Sequence, residues 1–142
     1  MSKTVLFLCP HGAAKSVMAA AYFQQLATRA GLDTAADCAG TEPDDTVWPS
    51  VLTLLHDEGV EVPPNNPRHV TTHDLTRADL VISLGCDLPP EQARLTRRLD
   101  RWDDLPLASQ DLVKSRDVIK IKVQDLIAEL QDTTPPRAYD HP

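Results

Sequence analysis

A chain of 142 residues, 42% hydrophobic and 25% charged, has the size and balance of one globular domain with a proper core. Its net charge of -7 and the lack of a basic stripe exclude a nucleic-acid binder that works by neutralising phosphates; Arg94, Arg97, Arg98 and Arg101 cluster, but acidic residues follow at once and the run reads as solvated surface. Three widely spaced cysteines with no CxxC make neither a disulfide framework nor a structural zinc site.

The chain opens directly on an apolar run, Thr4 to Leu8, which predicts a strand. No signal-peptide pattern precedes it and no apolar stretch approaches about 18 residues, so the expected location is cytoplasmic, with no membrane partner. A helix is predicted from Ala13 to Ala30, with Val17, Ala20, Ala21, Phe23 and Leu26 on its sheet face and Gly31 ending it. A second strand follows over Thr34 to Ala39 and runs into a turn at Ala39-Gly40-Thr41-Glu42-Pro43. Thr46 is placed as the cap of a second helix reaching Glu58, with Pro49 in its first turn and Val47, Val51, Leu54 and Leu55 as its stripe. Val60 to Asn66 reads as a loop, and Thr72 or Asp74 as the start of a single helical turn ending near Arg77. Leu80-Val81-Ile82 is the centre of a strand buried on both faces. Pro89 to Leu95 is a short helix or a loop, Arg98 to Trp102 a short fourth strand, and Asp111 to Leu130 a last helix. Leu112, Ile119, Val123, Leu126, Ile127 and Leu130 repeat at helical spacing in that last helix. Residues 132–142, with three prolines, read as a disordered tail beyond a single domain over residues 1–131.

This order predicts a three-layer α/β fold: four parallel strands, helices on both faces and right-handed crossovers. Ligands in such sheets sit at the carboxyl ends of the strands. Cys9, Gly85-Cys86 and Trp102-Asp103-Asp104 all fall just after strands, so they gather on one edge. The segment most suited to chemistry is Cys9-Pro10-His11-Gly12-Ala13-Ala14-Lys15-Ser16, a tight loop between strand and helix. It would hold the Cys9 sulfur at the mouth of a ring of backbone N–H groups opening onto a helix N-terminus. That is an oxyanion site, and it favours a nucleophilic thiolate. Read without that ring, Cys9 is a small buried hydrophobe at a strand end.

Cys-x5-Lys-Ser after a first strand resembles the loop of the low-molecular-weight phosphotyrosine phosphatase superfamily, which includes cysteine-based arsenate reductases. Three further segments are similar to that family: Ala39-Gly40-Thr41-Glu42-Pro43, the strand from Ala78 to Cys86, and Arg101-Trp102-Asp103-Asp104-Leu105-Pro106. The likeness runs to about Leu130 and implies strand order 2-1-3-4. It implies Cys9 as nucleophile and Pro10, His11, Gly12, Ala13, Ala14, Lys15 and Ser16 as the oxyanion cradle, with Ser16 bonded to the sulfur. It also implies a general-acid aspartate, for which Asp104 fits the spacing to Pro106 better than Asp103. Cys86 stands where thioredoxin-linked reductases carry a resolving cysteine. It would form a disulfide with Cys9, yield to a solution thiol, or be structural; Cys38 reads as core.

Three departures weigh on function. Lys15 stands where the family has arginine and offers a point charge instead of a planar fork. A lysine there is similar to the mycothiol-type arsenate reductases. Gly12 stands where the family has an asparagine that braces the loop. The aromatic residues that would grip a phosphotyrosine ring are replaced by Leu107-Ala108-Ser109. The leading expectation is therefore an arsenate reductase-like enzyme that binds no cofactor and draws on an external thiol: mycothiol, glutathione or thioredoxin. The alternatives are a phosphomonoesterase acting on a phosphorylated substrate through the same loop, and a non-catalytic oxyanion-binding module.

Overall fold

The computed structural model describes residues 3–64 and 66–132. Its elements in chain order are β1 (Lys3–Cys9), α1 (Lys15–Arg29), β2 (Thr34–Gly40), α2 (Pro49–Asp57), α3 (Thr72–Arg77), β3 (Leu80–Ser83), α4 (Pro90–Ala93), β4 (Leu99–Arg101) and α5 (Leu112–Asp132). The four strands form one parallel sheet in the order β2-β1-β3-β4. Both faces are covered, which is why β1 is apolar throughout instead of alternating. Val5, Phe7 and Cys9 point into a core shared with α1, α2 and α5. Leu6 and Leu8 point into a second core with Val70, Leu75, Ala78, Val81 and Cys86. Phe7 anchors the first core, its ring 5.7 Å from that of Phe23 and 5.8 Å from that of Trp102.

α1 is buried more broadly than a single stripe. Every residue from Ser16 to Phe23 is buried, because β1 and β2 lie on one side of the helix and α5 on the other. The alanines make that double packing possible by letting both neighbours approach. The core face predicted for α5 is present: Ile119, Val123, Leu126 and Ile127 are buried, with Leu112 and Leu130 packed at its margins.

Local chemistry moves several boundaries. α2 begins after Trp48, not after Thr46, and no side chain caps it. The Trp48 N–H is already committed to Ala13 O (3.1 Å) and its indole to Asp44 (3.3 Å), which holds the chain out of helix until Pro49 supplies the first turn. α3 starts at Thr72, one of the two expected starts, and ends at Arg77 as expected; its cap is Thr71. Thr71 Oγ1 accepts the Asp74 N–H (3.1 Å) while the Asp74 carboxylate accepts the Thr71 N–H (2.8 Å), a reciprocal capping box. The segment after the Val60–Asn66 loop joins the edge of β2, where Gly40 bridges His69: the Gly40 N–H donates to Arg68 O (2.9 Å) and the Val70 N–H to Gly40 O (3.0 Å). α5 ends at Asp132, the first residue of the expected tail; the rest of that stretch lies outside the described residues. The arginine cluster is surface, as read. Arg97 pairs with Asp79, Arg98 with Asp100 and Glu129, and Arg101 with Asp87 and Asp103.

Candidate active site

The strand register brings the carboxyl ends together, with Cys9 opposite Gly40, Leu8 opposite Ser83, and Ser83 opposite Arg101. Between Cys9 and Lys15 the chain makes a tight loop and enters α1 with no capping side chain and no acidic residue in the first turn. The first-turn N–H groups of a helix have no intrahelical partners, and without a cap they are left for an anion. The Cys9 sulfur sits inside this loop. The Gly12 N–H donates to it at 3.2 Å, and it hydrogen-bonds Ser16 Oγ at 3.1 Å. In the thiolate the Ser16 hydroxyl becomes the donor, so both contacts stabilise negative charge on sulfur.

The loop is braced by the segment that follows β2. The Glu42 N–H donates to Pro10 O (2.7 Å), the Asp44 N–H to His11 O (2.9 Å) and the Trp48 N–H to Ala13 O (3.1 Å). Gly12, at φ +60°, lies flat against Gly40. A Cβ on Gly40 would come within 2.8 Å of Gly12 N and 2.9 Å of Pro10 O, and a Cβ on Gly12 within 3.0 Å of Gly40 N. The bracing that an asparagine side chain would supply is made here by backbone contact between two glycines. Sequence reading placed Gly40 in a turn and missed its role; the signal that could have found it is a glycine at the end of β2 beside a glycine in the loop that follows the neighbouring β1.

A cleft of about 290 Å³ opens over the sulfur. Cys9, Pro10, His11, Ala14 and Lys15 line it from the loop, Trp48 and Leu107-Ala108-Ser109 form walls, and Gly85 closes the far side. Lys15 Nζ lies 3.7 Å from where a Cβ on Gly85 would stand, and among the described residues no carboxylate pairs with it. Gly12, Ala13 and Ser16 belong to the loop but sit behind the cleft, Ala13 and Ser16 being fully buried. Trp48 was not singled out from sequence; residues 107–109 were read as standing where the family's ring-gripping aromatic residues would be, and they do line the cleft. Among the described residues no cluster of His, Cys, Asp and Glu could hold a metal ion, and no helix is long and apolar enough to cross a membrane.

The other residues singled out from sequence lie elsewhere. Asp104 is 77% exposed and pairs with Lys122 at 3.1 Å. That bond holds its carboxyl below the usual range and keeps it ionised. The structure does not bring it to the cleft; from its segment residues 107–109 come instead. Asp103 is tied to Arg101 at 2.9 Å. Cys86 is buried in the second core, with Ser83 Oγ 3.3 Å from its sulfur. Burial pushes its thiol up, only partly offset by that bond. Cys38 is buried, and its thiol is pushed up by burial and by the neighbouring Asp37.

The family profile of the low molecular weight phosphotyrosine protein phosphatases matches residues 4–104. A Halobacterium salinarum protein with the provisional name of arsenate reductase is 30% identical over 128 residues, 87% of this chain and 89% of its own length. The Archaeoglobus fulgidus arsenate reductase superposes with a TM-score of 0.73 at 28% identity, over 87% of this chain and 98% of that one. The Vibrio cholerae low molecular weight phosphotyrosine phosphatase superposes at 0.78 and 19% identity, over 94% of this chain and all of that one. A Corynebacterium glutamicum thioredoxin-dependent arsenate reductase gives 0.77 at 23% identity; 94% of this chain aligns, but it spans only 64% of that protein. The sheet order, the cysteine loop over which it closes and the matched profile make this chain a member of the low molecular weight phosphotyrosine protein phosphatase family, a family of enzymes.

Proposed function

We propose that the chain is an arsenate reductase-like enzyme in which Cys9 is the nucleophile. The observation that carries the reading is the Cys9 sulfur held by the Gly12 N–H and Ser16 Oγ at the mouth of a cleft that also holds an unpaired lysine and an uncapped helix N-terminus. Arsenate would sit in the loop of residues 10–16, its charge offset by Lys15 and the helix dipole. The thiolate attacks arsenic, a sulfur–arsenic bond forms, and one arsenate oxygen leaves as water after protonation. A thiol then attacks the Cys9 sulfur. A disulfide forms, the sulfur–arsenic bond breaks, and its electron pair stays on arsenic, which departs as arsenite. A second thiol regenerates Cys9, so two thiols supply the two electrons.

The state of Cys86 supports a thiol from solution over an internal one. Both sulfurs are buried, but Cys86 packs in the opposite core layer with its thiol pushed up by burial, whereas Cys9 lines the cleft. Mycothiol, glutathione and thioredoxin are the candidates. A role for Asp104 as acid would require it to leave Lys122 and travel to the cleft, so none is proposed. A second reading, phosphomonoester hydrolysis by the same thiolate, is favoured by the Trp48 and Leu107 walls, which suit an organic leaving group.

Purified protein with arsenate and each thiol in turn tests the reading, with aryl phosphate hydrolysis followed in parallel. Arsenite release that disappears in Cys9→Ser is expected. No release with any thiol would refute the reductase, and aryl phosphate turnover alone would move the assignment to the second reading.

A further inference from the structure

A histidine of the cleft lining is paired with a carboxylate outside that lining. His11 lines the cleft over Cys9, and its Nδ1 lies 3.2 Å from Asp44 Oδ1. The other oxygen of the same carboxylate, Asp44 Oδ2, accepts the Trp48 indole N–H at 3.3 Å. The Asp44 backbone N–H donates to His11 O at 2.9 Å, so the two residues are joined through main chain and side chain alike. Asp44 is thus fixed at three points. With Nδ1–H directed at Asp44, the proton that can move is the one on Nε2, which has no protein partner among the described residues. A carboxylate behind a histidine sets the tautomer and orients the ring in this way. Around His11 the charged and titratable groups are Asp44 on the bracing segment, with Glu42 two residues before it, and Cys9 and Lys15 on its own loop.

Resting on the nucleophilic role proposed for Cys9, we infer that His11, positioned by Asp44, is the proton donor to the oxygen that leaves when Cys9 attacks. The imidazolium gives its Nε2 proton to the leaving oxygen as the bond from that oxygen to arsenic, or to phosphorus, breaks. The neutral imidazole left behind takes the proton from the thiol, or from the water, that arrives in the second step. No net proton is consumed by the residue over the cycle. The placement answers the position of Asp104, which is paired with Lys122 away from the cleft. His11 is 58% exposed, so its replacement removes no core contact.

The test separates binding, attack and proton transfer. Wild type, His11→Gln, Asp44→Asn and Asp104→Asn are assayed for arsenate reduction and for hydrolysis of phenyl phosphate and 2,4-dinitrophenyl phosphate. The second ester has a leaving group that departs without a proton. His11→Gln is expected to lose about 100-fold or more in arsenate reduction and on phenyl phosphate, and under about fivefold on 2,4-dinitrophenyl phosphate. Asp44→Asn should show the same leaving-group dependence with a loss of roughly tenfold. Protection of Cys9 from iodoacetamide by arsenate should stay within about threefold of wild type, a readout that displacement of the loop would alter. Wild-type rates in His11→Gln, or equal losses on the two esters, would overturn the assignment. So would leaving-group dependence that appears in Asp104→Asn instead, and wild-type rates in Asp44→Asn would overturn its positioning role. A wild-type protein that turns over neither arsenate nor the esters would overturn this proposal together with the reading beneath it.

Discussion

Gly40→Ala is the sharpest test of how the loop is held. The new methyl carbon would stand 2.8 Å from Gly12 N, 2.9 Å from Pro10 O and 3.0 Å from His11 C. Ordinary carbon contacts begin near 3.4 Å, so about half an ångström must be found. All three neighbours are backbone and no flexible side chain can swing away. Gly40 cannot retreat either, because its N–H and carbonyl are bonded to Arg68 O at 2.9 Å and to the Val70 N–H at 3.0 Å. The loop is the part that gives. Overpacking of this kind costs about 1–3 kcal/mol, which for a domain of this size lowers the melting temperature by roughly 4–12 °C. The shift also opens the 3.2 Å bond from the Gly12 N–H to the Cys9 sulfur. Misplacement of a reacting group by about 1 Å costs roughly 100-fold, so half of that should slow a Cys9-dependent reaction about tenfold. Thermal melts read the first effect; the rate of Cys9 alkylation by iodoacetamide and steady-state turnover read the second. A variant that melts within about 1 °C of wild type and alkylates at the same rate would show that the two glycines do not brace the loop.

Other perturbations follow from single contacts. Burial raises the Asp74 carboxyl, but bonds from Arg68 at 2.7 Å and from Thr71 outweigh it and hold it below the usual range. A depressed carboxyl stabilises the fold above its unfolded value of about 4 and loses that stability as pH falls through the folded value. Asp74→Asn should therefore lower stability by about 1–3 kcal/mol at pH 7 in urea denaturation and narrow the gap to wild type near pH 3. Iodoacetamide at pH 7 should modify Cys9 first, since it lines the cleft with Gly12 N–H and Ser16 Oγ at its sulfur, whereas Cys38 and Cys86 lie outside it with their thiols pushed up by burial; peptide mapping that finds Cys86 labelled as fast as Cys9 would refute the ordering. Tyr22→Phe removes the hydroxyl that bonds Glu58 while leaving Glu58 its Arg116 partner, so a loss of about 1 kcal/mol is expected by chemical denaturation, and no loss would refute the contribution of that bond.

What could be read in advance was what the chain settles within a few residues. β1 and β3 are continuous apolar runs because both faces of the sheet are covered, and the nucleophile loop is legible because its cysteine, lysine and serine are close neighbours in sequence. Contacts between segments could not be read the same way. Asp104 has the spacing to Pro106 expected of an acid, yet Lys122, 18 positions on and carried by α5, removes it from the cleft. Thr46 has the chemistry of a cap, yet Trp48 is bound to the loop through Ala13 and to Asp44, so the helix begins only after it. Gly12 looked like the loss of a brace until Gly40 was found pressed against it. These three cases share one cause. Each concerns a contact between segments far apart in the chain: the end of β2 and the residues after it against the loop, or α5 against the segment after β4. The loop carries its nucleophile in its own sequence but takes its rigidity, and on the present reading its proton donor's orientation, from residues 40–48. Substitutions in that segment should therefore alter chemistry at Cys9 without touching the motif that announces it.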